Sequence, residues 1–180
     1  MPESNPSDSS PANAAQADRP PPPRQGKRGE VLVALQVALV VAFLFTSPWN
    51  PWLTPDLLEP TQTPRIAILV LCGVIALVIG GLGVLKLGSN LTPLPYPRDG
   101  NRLVTQGIYA LIRHPLYSSQ LFAALGWVVY SLSLSHLLLL VIGFVFFDYK
   151  ASREEAWLTE RHPEYADYAR GTRKLIPWWY

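Results

Sequence analysis

The sequence predicts an all-α, polytopic membrane protein with about four transmembrane helices, the last two folded into a C-terminal hairpin. Three observations carry this. Hydrophobic residues make up 49% of the chain, yet the first thirty positions hold almost no large ones. Long apolar runs then recur at 31–46, 66–87 and 116–149, where a soluble domain would interleave polar residues at helix or strand period. Finally, Lys and Arg gather in alternate connectors, the charge bias that orients spans in a bilayer.

The 180 residues accommodate one membrane domain, 29–180, behind an N-terminal tail, 1–28. The tail is rich in Pro, Ser, Ala and Asn, with Pro20 to Pro23 in a row. It cannot bury enough apolar surface to offset its ordering entropy, so it reads as a disordered cytoplasmic tail and not as a signal peptide. The formal net charge of +2 says little about partners, and no interleaved basic and aromatic array marks a nucleic-acid surface. The single cysteine, Cys72, excludes an intramolecular disulfide and any metal site built on several thiolates. It reads as a small packing or lipid-facing residue.

The first span, near 31–47, is slightly short for the hydrocarbon core and ends at Ser47-Pro48-Trp49. Trp49 and Trp52 suit the headgroup level. The connector to Arg65 holds five prolines with Asp56 and Glu59, so it reads as a loop. The second span, near 66–87, carries Gly80, Gly81 and Gly83, which permit close helix approach. Pro93, Pro95 and Pro97 then rule out a regular helix in the next connector.

As one helix the run 116–149 would be about 50 Å long, well beyond a bilayer of roughly 30 Å. Ser131, Ser133, Ser135 and His136 mark a polar midpoint. The run therefore reads as two short spans, near 116–132 and 134–150, with that midpoint at the far interface. Residues 151–161 continue as a polar helix that ends at His162-Pro163. Tyr165, Tyr168 and Trp178-Trp179-Tyr180 are expected along the interface.

Topology follows from the charges. Arg24, Lys27 and Arg28 precede the first span, and Lys86, Arg98, Arg102 and Arg113 lie around the second connector. Lys150, Arg153, Arg161, Arg170, Arg173 and Lys174 follow the last, while the first loop has only Arg65 and the hairpin tip has no Lys or Arg. Four spans with both termini cytoplasmic satisfy this pattern.

A hairpin brings its ends together, so two polar clusters become neighbours at the cytoplasmic face. One runs from Leu103 through Tyr109 to Arg113-His114-Pro115-Leu116-Tyr117. The other is Lys150 with Glu154 and Glu155; Lys150 and Glu154, four apart, share a helix face. Pro115 suits the first turn of a helix. Taken singly, Arg113 and His114 also read as charged anchors, and the two glutamates as a solvated helix face.

The ordered set Leu103-Val104-Thr105, Gly107, Tyr109, Arg113-His114-Pro115, Tyr117, Glu154-Glu155, Leu158, Tyr165, Tyr168 and Ile176-Pro177 resembles the C-terminal region of the isoprenylcysteine carboxyl methyltransferase and phospholipid methyltransferase superfamily. The resemblance implies a helical membrane enzyme that holds S-adenosyl-L-methionine in a cytoplasmic cofactor pocket and methylates a lipid or lipophilic acceptor. By position, Leu103, Val104, Tyr109, His114, Pro115, Leu116, Tyr117 and Glu154 fall where that family contacts the cofactor. Arg113, His114, Lys150 and Glu155 are the candidate catalytic residues. His114 has two open roles, as a ligand of the cofactor carboxylate with Arg113 or as a general base. Lys150 stands where prenylcysteine enzymes carry an arginine facing the substrate carboxylate, and the two side chains are not equivalent for bidentate binding.

Membrane sterol reductases share a similar Arg-His-Pro element and use NADPH, but usually place Asn where this chain has Leu116. A non-catalytic membrane adaptor on the same scaffold is the third reading.

Overall fold

The computed structural model describes residues 29–88, 91, 103–177 and 180. The expected tail, Pro93, Pro95, Pro97, Arg98, Arg102 and Trp178-Trp179 lie outside them. The described residues form α1 (Glu30–Phe45), α2 (Pro55–Leu87), a 3-10 turn (Gly107–Ala110), α3 (Pro115–Ser131), α4 (Leu134–Arg161) and α5 (Tyr165–Gly171). Among them the only extended pairing is an isolated parallel bridge between Ile112 and Arg173.

Two helices, α2 and α4, are long and apolar enough to cross a membrane, and α1 is apolar but shorter. Their outward faces carry Val31, Leu44, Leu77, Leu85, Leu138 and Val145, all more than half exposed, as expected where lipid is the solvent.

One expectation fails. Residues 55–65 are not a loop but the first turns of α2, which passes through Pro60 and Pro64. Each proline removes an N–H from the helical ladder, and side chains bring other donors to the same turns. Thr61 Oγ1 donates to the Leu57 carbonyl (2.6 Å), and Arg65 donates to Thr61 (3.2 Å) and Leu58 (2.8 Å). Arg65 also donates to the Tyr130 carbonyl (2.5 Å) near the C-terminus of α3, so this lone cation of the first loop has a structural use.

The hairpin is present. Pro115 starts α3 at its first position, and Leu132 turns the chain with φ 50°. Ser133 caps α4, accepting from the His136 N–H. The polar extension of α4 ends at Arg161, as expected from His162-Pro163.

α3 packs most extensively on α2, through small residues. A Cβ on Gly126 would stand 2.8 Å from Cys72 Cβ, and one on Gly83 would stand 3.1 Å from Leu116 Cδ2. Gly80 faces Ser119 in the same way, whereas Gly81 meets open space. Close approach therefore accounts for Gly80 and Gly83 and not for Gly81, and Cys72 is a packing residue.

The buried stripe of α4 runs His136, Gly143, Phe147, Lys150, Ala151. Its three- and four-residue steps at the inner end carry the apolar core directly into Lys150 and, one turn later, Glu154.

Candidate active site

Three elements converge at the inner end of the hairpin. The segment Ile112–His114 leads into α3, the polar extension of α4 brings Glu154 and Glu155, and the chain after α5 returns beside the first segment. Backbone bonds fix that return: Arg113 N donates to Arg173 O (2.8 Å), His114 N to Lys174 O (3.1 Å) and Arg173 N to Leu111 O (3.2 Å). Ser118 Oγ adds a bond to Leu175 O (2.5 Å). The backbone carrying Arg113 and His114 is thus held from two sides.

His114 is 7% exposed and engaged at both ring nitrogens. Nε2 lies 2.9 Å from Glu155 Oε1 and Nδ1 lies 3.3 Å from Glu154 Oε2. Burial by itself lowers the imidazole pKa, but the bonds to the two carboxylates outweigh it and raise it above 6.5. Glu155 shows the converse. Burial raises its carboxyl, yet His114 and Arg113 hold it down to about 2. Arg113 Nε donates to the same Glu155 oxygen (2.8 Å), while Nη1 donates to the carbonyls of Ala169 (2.9 Å) and Thr172 (2.5 Å). Arg113 is therefore a clamp between α4 and the α5 region.

Tyr117 forms the wall. Its ring stacks between His114 (5.5 Å between centroids) and Phe147 (4.9 Å), and its hydroxyl donates to Glu154. The Lys150 ammonium sits over the same ring, 5.0 Å from its centroid, within cation–π range. Tyr109 is buried in the 3-10 turn, and its carbonyl accepts from the Tyr168 hydroxyl (2.6 Å). Burial pushes the Tyr168 phenol up to about 12, so it stays a donor.

The structure thus brings together Tyr109, Arg113, His114, Tyr117, Lys150, Glu154 and Glu155. Pro115 and Leu116 adjoin them but turn to α2, both meeting Gly83. Leu103 and Val104 are half-buried in the extended stretch before the 3-10 turn. A cleft of about 400 Å³ opens beside the cluster, lined by Arg113, Glu155, Ala169, Thr172, Arg173, Lys174 and Tyr180. Of the residues expected to contact the cofactor, only Arg113, the expected carboxylate ligand beside His114, lines that cleft.

Tyr165, expected along the interface, is 2% exposed, and Tyr168 bonds into the site through the Tyr109 carbonyl. Sequence reasoning passed over Gln36, the one polar residue in 31–45. Its amide bridges Lys150 and Gln120. A lone glutamine in an apolar run was the available signal.

The fold and site define a helical membrane protein with a carboxylate-flanked histidine at one end of its bundle. The chain belongs to the phospholipid methyltransferase family, whose model matches residues 65–165.

A cobalt-zinc-cadmium resistance protein of Cupriavidus metallidurans is 38% identical over 44% of this chain and 38% of its own length. The protein-S-isoprenylcysteine O-methyltransferase of Dictyostelium discoideum is 32% identical over 59% of this chain and 47% of its own. The chain therefore spans less than half the length of these relatives. A probable protein-S-isoprenylcysteine O-methyltransferase of Oryza sativa subsp. indica is 28% identical over 82% of this chain and 78% of its own. Among solved structures, a eukaryotic intramembrane Ras methyltransferase (isoprenylcysteine carboxyl methyltransferase) superposes with TM-score 0.60 at 21% identity. That match covers 88% of this chain and 55% of that one, a likeness of fold.

Proposed function

We propose that the chain is an integral-membrane methyltransferase that uses S-adenosyl-L-methionine to methylate a lipid or lipophilic acceptor. In this reading it has four spans, α1 to α4, with both termini and the carboxylate-flanked cluster on the cytoplasmic side. The observation that carries it is the His114–Glu154–Tyr117 constellation, which joins the Arg-His-Pro segment to the paired glutamates within the family-matched stretch.

The donor set fits the cofactor. Glu154 offers a carboxylate to an ammonium or ribose hydroxyl. The Tyr165 hydroxyl is buried without a hydrogen-bond partner among the described residues, a polar atom available to a ligand. When bound, the cofactor supplies a methyl group on a sulfonium, which an acceptor heteroatom takes by in-line displacement as the S–C bond breaks.

No metal or redox step enters, so the residues act by positioning and by excluding water. The two carboxylates favour the imidazolium form of His114, which has no lone pair to accept a proton, and this supports a binding and orienting role over that of a general base. Arg113 and Glu155 hold the ring in place. The neutralising charge and the apolar spans keep the acceptor end dry.

The test is calorimetric titration of the detergent-purified protein with S-adenosyl-L-methionine and, separately, NADPH. Micromolar binding of the first, lost in Glu154→Gln, is the expected result. Binding of NADPH alone would return the chain to the reductase reading, and binding of neither to the adaptor.

A further inference from the structure

The inner half of α4 presents two adjacent stripes to its neighbours. Phe147, Lys150 and Glu154 face the Tyr117 ring. Asp148, Ser152 and Glu155 follow one another at steps of four and three residues, and so share the face beside it. Glu155 receives Arg113 and His114. Asp148 and Ser152 together receive a single group, the Lys174 ammonium: Nζ donates to Asp148 Oδ1 (2.5 Å) and to Ser152 Oγ (2.6 Å).

The main chain of Lys174 is bonded to the site. Its carbonyl accepts the His114 N–H (3.1 Å), and the carbonyls on either side, of Arg173 and Leu175, accept from Arg113 N (2.8 Å) and Ser118 Oγ (2.5 Å). The returning chain is thus tied to the start of α3 by its backbone and to α4 by a side chain, and Lys174 makes both links. It spans the two elements whose separation sets the site. His114 is the N-cap of α3, while Glu154 and Glu155 lie within two turns of Asp148 on α4. The His114 contacts to Glu155 (2.9 Å) and Glu154 (3.3 Å) would both be lost if the helices slid apart by about 1 Å.

The Asp148–Lys174 pair is suited to resist such a slide. Its side chains are only 33% and 13% exposed, so water screens their attraction less than at an open surface. The Tyr180 hydroxyl adds another donor to Asp148 Oδ1 (3.0 Å), and its ring lies against Phe144 (5.9 Å between centroids).

We propose that Asp148 is a positioning residue: by holding the Lys174 ammonium on α4 it fixes, through the Lys174 carbonyl, the backbone that sets the His114 ring between Glu154 and Glu155. In this role it needs no contact with a ligand. The inference rests on the methyltransferase reading only where cofactor affinity is measured; the seating of the ring is measurable without a cofactor.

The experiment compares Asp148→Asn, which keeps the side-chain shape and removes its charge, with the wild-type full chain in detergent. Two quantities are read: the His114 titration by NMR of histidine-labelled protein, assigned by its loss in His114→Asn, and S-adenosyl-L-methionine affinity by calorimetry. The two carboxylates raise the His114 pKa, so a loosened ring should titrate closer to 6.5. Cofactor affinity should fall about tenfold. Asp148→Glu, which restores the charge, should recover most of both losses. Lys174→Met removes the ammonium and keeps the carbonyl, and should reproduce the His114 shift. A lower melting temperature with an unmoved His114 titration in Asp148→Asn or Lys174→Met would make the pair a stabilising contact only and overturn the proposal. A shifted titration in a protein whose wild type binds no S-adenosyl-L-methionine would support the positioning role and sink the methyltransferase reading.

Discussion

The hairpin buries one histidine at each end, and the two differ in their partners. At the inner end, His114 lies between Glu154 and Glu155. At the outer end, His136 is 2% exposed, with Nδ1 at 2.8 Å from Ser133 Oγ and Nε2 at 3.2 Å from the Phe43 carbonyl. Both rings are bonded at both nitrogens, and both sit against aromatic rings. Only the first is surrounded by ionised groups. The outer histidine ties α4 to α1, reinforced by Asn50 donating to Leu132 O (2.7 Å) and Ser135 to Ser47 O (3.0 Å). Burial of a histidine therefore does not mark a site here; the charge of its partners does.

The largest contrast comes from substituting each in turn. His114→Asn leaves two neighbouring carboxylates without the cation between them, and should weaken S-adenosyl-L-methionine binding on the order of a hundredfold. His136→Asn should lower the melting temperature while leaving cofactor affinity within about twofold, since it removes only neutral bonds worth about 1 kcal/mol each. Calorimetry and thermal melting of both variants check this. Equal losses of affinity would erase the distinction between the two ends.

A second prediction uses pH. The Glu155 pKa is depressed from 4.5 to about 2, so its stabilising contribution is full above 4.5 and is lost as pH falls towards 2. The His114 pKa is raised from 6.5, so its contribution is full below 6.5 and is lost as pH rises through the raised value. The destabilisation caused by Glu155→Gln should accordingly be greatest between about pH 4.5 and 6.5 and shrink on both sides. Because it also strands the partly buried Arg113, the plateau should reach about 3 kcal/mol. Melting curves that extend below and above that plateau check this; a difference near zero at every pH would mean that the Arg113–Glu155–His114 contact contributes nothing.

Much of this was legible beforehand. In a chain dominated by apolar runs, each charged residue must be placed, and the runs themselves reveal the helices. The polar midpoint at Ser133 foretold the hairpin, which in turn put Arg113-His114 beside Glu154-Glu155. Three things were not legible. Pro60 and Pro64 argue locally for a loop, yet α2 runs through both. Tyr165 and Tyr168 read as surface aromatics, whereas the backbone pairing of 173 and 174 with 111–114 holds the α5 region against the site. That pairing has no sequence signature. Gln36 needed a partner eighty-four residues away before its meaning could be read.

The smallest effect concerns the packing that sets the two ends apart. Gly126 and Gly81 both lie in apolar helices, and a helical glycine costs roughly 1 kcal/mol relative to alanine. On propensity alone, both alanine variants should therefore stabilise. At Gly126, however, the added Cβ would come within 2.8 Å of Cys72 Cβ, a contact that neither rigid helix can relieve without moving. Overpacking of this kind costs about 1–3 kcal/mol, enough to reverse the sign, so Gly126→Ala should melt lower than wild type. Gly81→Ala meets open space and should melt slightly higher. Gly126→Ala paired with Cys72→Gly should restore stability in part, because the substitution removes the side-chain atom the new methyl strikes. A Gly126→Ala variant as stable as Gly81→Ala would mean that α3 does not rest on α2 through this small-residue contact, and that the carboxylate-bonded inner end is held by α4 and the returning chain alone.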